Sequence, residues 1–275
     1  MKNISDRAFG IVQRFLRGSA GIALAPAKKA LVVGRLSRRI EERHFEGYTD
    51  YVKLVASGDD PAETQVAVDL LTTNETSFFR EAKHFEALRI EALAARGRSA
   101  GFRVWSAACS SGEEVYSIAM ILADCLERSS WQVLGSDISA RVLSRARMAH
   151  YPMAGAQNIP AYYLKRFCLK GVGPQDGTLL IERELRERVE LRQVNLIKPI
   201  PALGSFDVIF LRNVLIYFDK ETKRQVVAAV LRFLRPGGRL FIGHSETLHE
   251  LSSEVESVAP SQYRKPSAAC RTDPA

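Results

Sequence analysis

The chain has 275 residues, 46 % hydrophobic and 25 % charged, enough for one large globular domain or two unequal ones. No apolar run reaches the ~18 residues that a membrane-spanning helix needs, and charges scattered from Lys2 to Arg17 argue against a secretory signal. The formal charge of +8 points to an acidic partner, whether nucleic acid, anionic lipid or protein, and four cysteines (Cys109, Cys125, Cys168, Cys270) without a CxxC pair or regular spacing suit a reducing cytoplasm better than a disulfide scaffold or zinc ribbon.

Residues 1–73 read as a helical N-terminal domain. Apolar periodicity predicts helices over 6–16, 28–43, 48–57 and 61–71, the third ended by Gly58-Asp59-Asp60-Pro61. In the second, Lys28, Arg35, Arg38, Arg39 and Arg43 fall on one face, and Val33, Leu36 and Ile40 lie opposite, where they are expected to pack inward. Such a face is either a solvated surface or a dock for an acidic helix. No helix-turn-helix or interleaved aromatics favours nucleic acid.

The stretch 70–81, Leu-Leu-Thr-Thr-Asn-Glu-Thr-Ser-Phe-Phe-Arg-Glu, sets an amide, hydroxyls and a guanidinium beside a Phe-Phe pair, ahead of a helical run. It reads either as a helix N-cap at Thr76 or Ser77 or as a segment folded over a charged ligand. Residues 74–96 are therefore a linker and ligand-covering segment.

After residue 97 the pattern changes. Strands are predicted over 102–106, 131–136, 189–194, 206–211 and 239–243, and helices over 113–127, 139–150 and 220–234. This alternation implies an α/β domain over 97–266, a parallel sheet with helices on both faces, and the apolar run 206–211 should be its central strand. Gly171, Gly173, Pro174 and Gly177 interrupt the alternation, and Leu179-Leu180-Ile181 reads as an extra strand. Together they predict a small β-subdomain inserted at about 168–188. Residues 267–275 are expected to be a flexible tail.

Ligands of an open parallel sheet bind beyond the carboxyl ends of its strands. After the first strand come Ala107-Ala108-Cys109-Ser110-Ser111-Gly112, then Glu113 and Glu114 at a helix start. The glutamates either complement the helix dipole or hold an ammonium; they would repel a phosphate. After the second comes Asp137, 25 residues past Gly112, placed to accept ribose hydroxyls unless it caps the next helix, a task Ser139 can take. Asn195 and Leu196 follow the third strand, Arg212-Asn213 and Tyr217 the fourth, and His244-Ser245-Glu246 the fifth. The last group lacks the G-x-S-x-G elbow of a hydrolase. Cys109 has no base beside it in sequence and reads as an inert buried thiol.

These segments resemble the chemotaxis receptor methyltransferase (CheR) family over about residues 5–265. The likeness is carried by Asn-Glu-Thr-Ser-Phe-Phe-Arg-Glu from Asn74, Trp-Ser-Ala-Ala-Cys-Ser-Ser-Gly-Glu-Glu-Val-Tyr-Ser from Trp105, Gly-Ser-Asp-Ile-Ser from Gly135, Phe-Leu-Arg-Asn-Val-Leu-Ile-Tyr-Phe-Asp from Phe210 and Gly-His-Ser-Glu-Thr-Leu from Gly243. The turn Leu234-Arg235-Pro236-Gly237-Gly238 is one that class I methyltransferases commonly show. Cys109 and Val115 depart from the family's usual Ala and Pro.

The resemblance implies a class I (Rossmann-like) methyltransferase sheet with an inserted small β-subdomain, preceded by a small all-helical domain. It implies methyl transfer from S-adenosylmethionine to glutamate side chains of membrane chemoreceptors, leaving S-adenosylhomocysteine and needing no metal. Asn74, Thr76 and Arg80 would close over the cofactor, Glu113 would meet its amino group, Asp137 its ribose, and Asn195, Leu196, Arg212 and Asn213 its adenine side. Arg80 and Tyr217 would face the methyl and the incoming carboxylate. Arg35, Arg38, Arg39 and Arg43 would meet the receptor's cytoplasmic helical region, and the β-subdomain is a candidate tether for a receptor C-terminal tail peptide. Two other readings are weaker. One is a methyltransferase of nucleic acid or a small molecule, but amine-methylating nucleic-acid enzymes often carry Asn/Asp-Pro-Pro-Tyr where Arg212-Asn213-Val214-Leu215 stands; the other is a mere sensor of the cofactor, which has no use for Arg80 and Tyr217.

Overall fold

Local signals account for the first helices. In the computed structural model, which describes residues 4–127 and 129–267, α1 (Asp6–Ala20) starts at Ser5, whose hydroxyl accepts the Ala8 amide, and ends at Gly21 in the left-handed region. It outruns the expected 6–16 because Gly18 is tolerated inside it while Ala20 is buried at its end. A single turn at Pro26–Lys28 leads into α2 (Lys29–Glu42), followed by α3 (Tyr48–Ser57) and α4 (Pro61–Leu71), which Asp60 caps through the Glu63 amide. Phe9, Val12 and Leu16 of α1 meet Val32, Leu36 and Ile40 of α2 and Tyr51 and Val55 of α3 in one core. Val33 is only half-buried, so Val32 takes the inward place expected for it. Cys270 and the tail from 268 lie outside the described residues.

After α5 (Ala82–Ala94) the chain builds its main sheet. Strand β1 (Phe102–Ser106), helix α6 (Glu113–Leu126), strand β2 (Trp131–Asp137) and helix α7 (Ala140–Met148) alternate as expected. Strand β3 (His150–Pro152), helix α8 (Ala161–Phe167), strands β4 (Cys168–Lys170) and β5 (Thr178–Ile181) and the short α9 (Arg183–Arg186) intervene. Then follow β6 (Val189–Gln193), β7 (Phe206–Leu211), α10 (Lys220–Leu231), β8 (Leu234–Ile242), β9 (Glu256–Ala259) and β10 (Gln262–Arg264). The sheet order is β6-β2-β1-β7-β8-β10-β9, parallel as far as β8 and antiparallel beyond it.

Strand β7 is central, and its run of apolar residues follows from burial on both faces. Val208 and Phe210 join the α5–α6 side with Val104, while Ile209 and Leu211 join the α10 side with Trp105. From β1 the chain moves outward through β2 to β6, then returns to lay β7 on the other flank of β1. The switch point therefore lies between β1 and β7, and the residues that leave those two strands open a crevice.

Three features differ from expectation. The Leu234–Gly238 turn is a bulge inside β8: Phe206 pairs with Leu234 but Val208 with Arg239, and α10 stops at Leu231. A Cβ on Gly238 would sit 2.7 Å from Leu234 Cδ1 and 2.9 Å from the Asp207 carbonyl oxygen, so the bulge needs glycine. The small sheet, ordered β3-β5-β4 and antiparallel, contains the expected strand at 179–181 but also recruits β3 from ahead of residue 168. Strands β9 and β10 extend the main sheet and were not foreseen, because three or four residues are too few to display alternation. Among the described residues no helix is long and apolar enough to cross a membrane.

The helical domain is seated on the sheet domain near the switch point. Ala23 donates its amide to the Tyr217 carbonyl at 2.8 Å, Ile22 bridges Phe218, and Asn195 Nδ2 donates to the Ser19 carbonyl at 2.7 Å. Gly21 permits this approach: at φ 73° a Cβ would lie 2.6 Å from Ile197 Cγ2.

Candidate active site

A cleft of about 890 Å³, counted out to its mouth, opens at the switch point. The β1 exit supplies Ala107, Ala108 and Ser110 to its wall, and the β2 exit supplies Asp137. Asn195 and Leu196 come from the loop after β6, and Arg212, Asn213 and Tyr217 from the loop after β7. The segment from Thr72 to Ser77, with Arg80, covers it. This segment caps no helix, since α5 begins only at Ala82, so the capping alternative for Thr76 and Ser77 is excluded. Phe78 anchors it in the core, edge-on to Tyr151, and the Phe79 amide donates to Ser117 Oγ at 3.0 Å.

Asp137 is buried, and each carboxylate oxygen accepts one backbone N–H at 2.9 Å, from Ser110 and from Ser139. Burial raises its pKa and those amides oppose the rise. With about four lone-pair sites on a carboxylate, Asp137 still has acceptor capacity left for ligand hydroxyls. Ser139 caps α7 itself, through the Val142 amide, so Asp137 is not consumed as a cap.

Glu113 does not line the cleft; Glu114 does. Glu113 accepts the Ser111 hydroxyl at 2.7 Å, and burial pushes its carboxyl up. Glu114 is aimed by the Ser106 hydroxyl at 2.7 Å and by Arg212 Nη1 at 2.7 Å. The Arg212 guanidinium, 1 % exposed, also lies 3.0 Å from Glu81 and donates to the Arg80 carbonyl at 2.5 Å. It therefore organises two carboxylates and the covering segment. Asn195 spends its amide on the Ser19 carbonyl and on accepting the Ile197 N–H, so it is a strut between the domains.

Glu246, from the segment that follows β8, clamps the loop after β7. It accepts N–H groups from Gly243, Asn213 and Ile216 at 2.6, 2.9 and 3.2 Å. Tyr217 keeps its phenol protonated, because burial and the nearby Glu75 charge raise its pKa while a hydrogen bond with Thr73 works the other way. Cys109 is fully buried with its thiol pushed well up by burial, as an inert cysteine should be.

The basic face of α2 is not the free surface its periodicity suggested. Arg35 donates to the carbonyls of Leu71 and Thr72 at 2.8 and 3.0 Å and to Thr73 Oγ1 at 3.0 Å. Arg39 binds the buried carboxylate of Glu63, which Tyr51 and Arg43 also contact, and Arg43 reaches Asp60 at 3.2 Å. These arginines flank the apolar stripe and curl toward α4. Arg38, with 90 % of its side chain exposed, pairs only with Glu42 of its own helix, and Lys28 is exposed too.

Sequence reasoning gave Ser110, Glu81 and Thr73 no role, and of the paired glutamates it gave the amino-group role to Glu113 rather than Glu114. For Glu114 the signal existed, since it stands next to Glu113, but only the fold tells which of the two turns toward Ser106 and Arg212.

Residues 74–264 match the family model described as CheR methyltransferase, SAM binding domain, and residues 7–72 the one described as CheR methyltransferase, all-alpha domain. The chain is 40 % identical over 263 residues to the chemotaxis protein methyltransferase of Salmonella typhimurium, covering 94 % of this chain and 90 % of that one. It is 41 % identical over 251 residues to the chemotaxis protein methyltransferase of Escherichia coli, covering 90 % and 87 %. Against chemotaxis protein methyltransferase 2 of Pseudomonas aeruginosa the identity is 40 % over 258 residues, covering 93 % and 91 %.

Proposed function

The chain belongs to the CheR methyltransferase family and is an S-adenosylmethionine-dependent methyltransferase of chemotaxis, and we propose that it esterifies glutamate side chains on the cytoplasmic helices of membrane chemoreceptors. The observation that carries this reading is one cleft lined both by Asp137 and Glu114, suited to an amino-acid nucleoside, and by Arg80 and Tyr217, suited to a carboxylate. The donor set fits S-adenosylmethionine. Asp137 keeps acceptor capacity for ribose hydroxyls, and Glu114 offers a carboxylate to the amino group where Glu113 was expected to. Bound S-adenosylmethionine supplies a methyl group activated by its sulfonium. A glutamate side chain, with a pKa of ~4.3, is ionised at neutral pH and needs no base. What remains for the protein is alignment and exclusion of water, which the covering segment Thr72–Ser77, Arg80 and the Tyr217 hydroxyl supply.

The reading is tested by incubating the protein with methyl-labelled S-adenosylmethionine and chemoreceptor-containing membranes. Label released from the receptor by mild base marks a methyl ester; label that resists base, or none, refutes glutamate as acceptor. Asp137→Ala is expected to weaken S-adenosylhomocysteine binding by roughly 1.5–3 kcal/mol, the scale of a charge-assisted hydrogen bond. Calorimetry giving equal affinities for variant and parent would move the ribose elsewhere.

Docking of the receptor helix falls to the exposed part of α2. Reversing Arg35 or Arg39 would break contacts within the helical domain, so Arg38→Glu is the cleaner probe. It should raise KM for receptor by about two- to fivefold, as exposed charges do, with S-adenosylhomocysteine affinity unchanged, and the effect should fade as salt rises. An unaltered KM at low salt would shift recognition to the small sheet of β3, β5 and β4.

A further inference from the structure

Behind the cleft, outside its lining, three metal-ligand side chains converge. Glu81 and His84 follow the covering segment, and His244 follows β8. His84 Nδ1 lies 3.4 Å from Glu81 Oε2, and His244 Nε2 lies 3.7 Å from the same oxygen. The imidazole of His84 is completely buried.

The hydrogen bonds around His84 leave a gap. Ser261 gives its single hydroxyl hydrogen to the Pro260 carbonyl at 2.6 Å, so at 2.8 Å it can only accept from His84 Nε2. The tautomer with its hydrogen on Nε2 satisfies both contacts and leaves a lone pair on Nδ1. Nδ1 and Glu81 Oε2 are both buried without a hydrogen-bond partner, and Arg212 Nη2, though 3.0 Å from that oxygen, is not aligned for one. The unpartnered His84 Nδ1 thus faces a buried carboxylate oxygen whose charge the Arg212 guanidinium balances.

We propose that Glu81 Oε2, His84 Nδ1 and His244 Nε2 form a site for one divalent transition-metal ion of the zinc type. Ligands about 2.0–2.2 Å from a tetrahedral ion stand roughly 3.4 Å apart, close to both separations above, and water takes the fourth position. Two imidazoles and a carboxylate are a donor set for such an ion, and Ser261 orients His84 from behind. His244, with 52 % of its side chain exposed, closes the site and is its entrance. Glu81 also pairs with Arg212, which holds Glu114 in the cleft wall. An ion that takes Glu81 therefore loosens the wall, so metal binding and cofactor binding oppose each other.

The test uses the full chain, ZnCl2 and CoCl2. Calorimetry should show one Zn²⁺ per chain, and the Co²⁺ complex should have a tetrahedral spectrum without a thiolate charge-transfer band, which separates this site from the cysteines. His244→Ala, an exposed change whose fold is checked by S-adenosylhomocysteine binding, should bind Zn²⁺ at least about tenfold more weakly. Saturating Zn²⁺ should weaken S-adenosylhomocysteine binding about fivefold in the parent and not in the variant. No stoichiometric binding, a thiolate spectrum, or equal Zn²⁺ affinity in His244→Ala overturns the site. An S-adenosylhomocysteine affinity unmoved by bound Zn²⁺ overturns the coupling.

Discussion

Arg212→Ala should lose about 3–5 kcal/mol of stability at pH 7, a large share of the ~5–15 kcal/mol that holds a domain together. The guanidinium is 1 % exposed, lies between Glu81 and Glu114 and above Phe85 and Phe210, and has no route to water. Its removal strands two carboxylates that are 12 % and 13 % exposed. The loss should be pH-dependent with a definite sign. Burial pushes the Glu81 carboxyl up, but Arg212, joined by the His244 amide and ring, more than offsets this and leaves it below its ordinary value. A depressed folded-state pKa contributes stability above the unfolded value of ~4.3, and that contribution is lost as pH falls through the folded value. Without Arg212, burial is opposed only by the His244 contacts, so the carboxyl protonates more readily. The variant's deficit should therefore shrink as pH drops from 7 toward 4. Urea unfolding across that range measures it, and a deficit of constant size would show that Arg212 acts by packing. Lysine should not rescue, because one ammonium cannot reproduce the fork that meets Glu81, Glu114 and the Arg80 carbonyl together.

Arg80→Ala and Tyr217→Phe should each lower kcat by up to about 10²-fold while changing S-adenosylhomocysteine affinity much less, because misplacing a reactant by an ångström is enough for such a loss. Methyl transfer neutralises the carboxylate, so a tight ion pair with Arg80 would favour the ground state and slow the reaction. Arg80 is loosely held, its Nη1 donating only to the Glu75 carbonyl at 3.1 Å, which suits steering. Its backbone is not loose: Phe79 and Glu81 on either side both have positive φ, at 50° and 63°, a strained arrangement kept by the Phe78 anchor and Arg212. Tyr217 is fixed through its carbonyl by Ala23, and its hydroxyl lies near Thr73, which Arg35 holds in turn. Single-turnover methylation of receptor membranes, set beside calorimetry, separates the two effects. Wild-type rates in both variants would remove these residues from the reaction.

The chain reaching Tyr217 from Arg35 also shows how far a sequence could be read. Helices α3 and α4 have the bounds that Gly58, Asp60 and Pro61 dictate, because capping is a contact between residues a few positions apart. Strands β1 and β7 announce themselves because burial on both faces demands an apolar run. Asp137, Arg212 and Tyr217 are legible because a parallel sheet delivers whatever follows its strands to one edge. Periodicity assigns a residue to a face, but it cannot say what that face meets. Arg35 and Arg39 looked like a docking surface; their partners, 36–38 and 24 residues along the chain, turn them into internal braces. Glu113 and Glu114 differ by 100° on a helix, and the choice between them rests on Arg212, 98 residues away. Glu246 had no assigned role in the sequence, and only the fold shows three amides claiming it. The sequence alone determined the elements, their order and the edge where chemistry collects, since these follow from local sterics and burial. Which charged groups face the cleft and which are neutralised inside the protein was decided only in three dimensions, where distant ions compete for the same few partners.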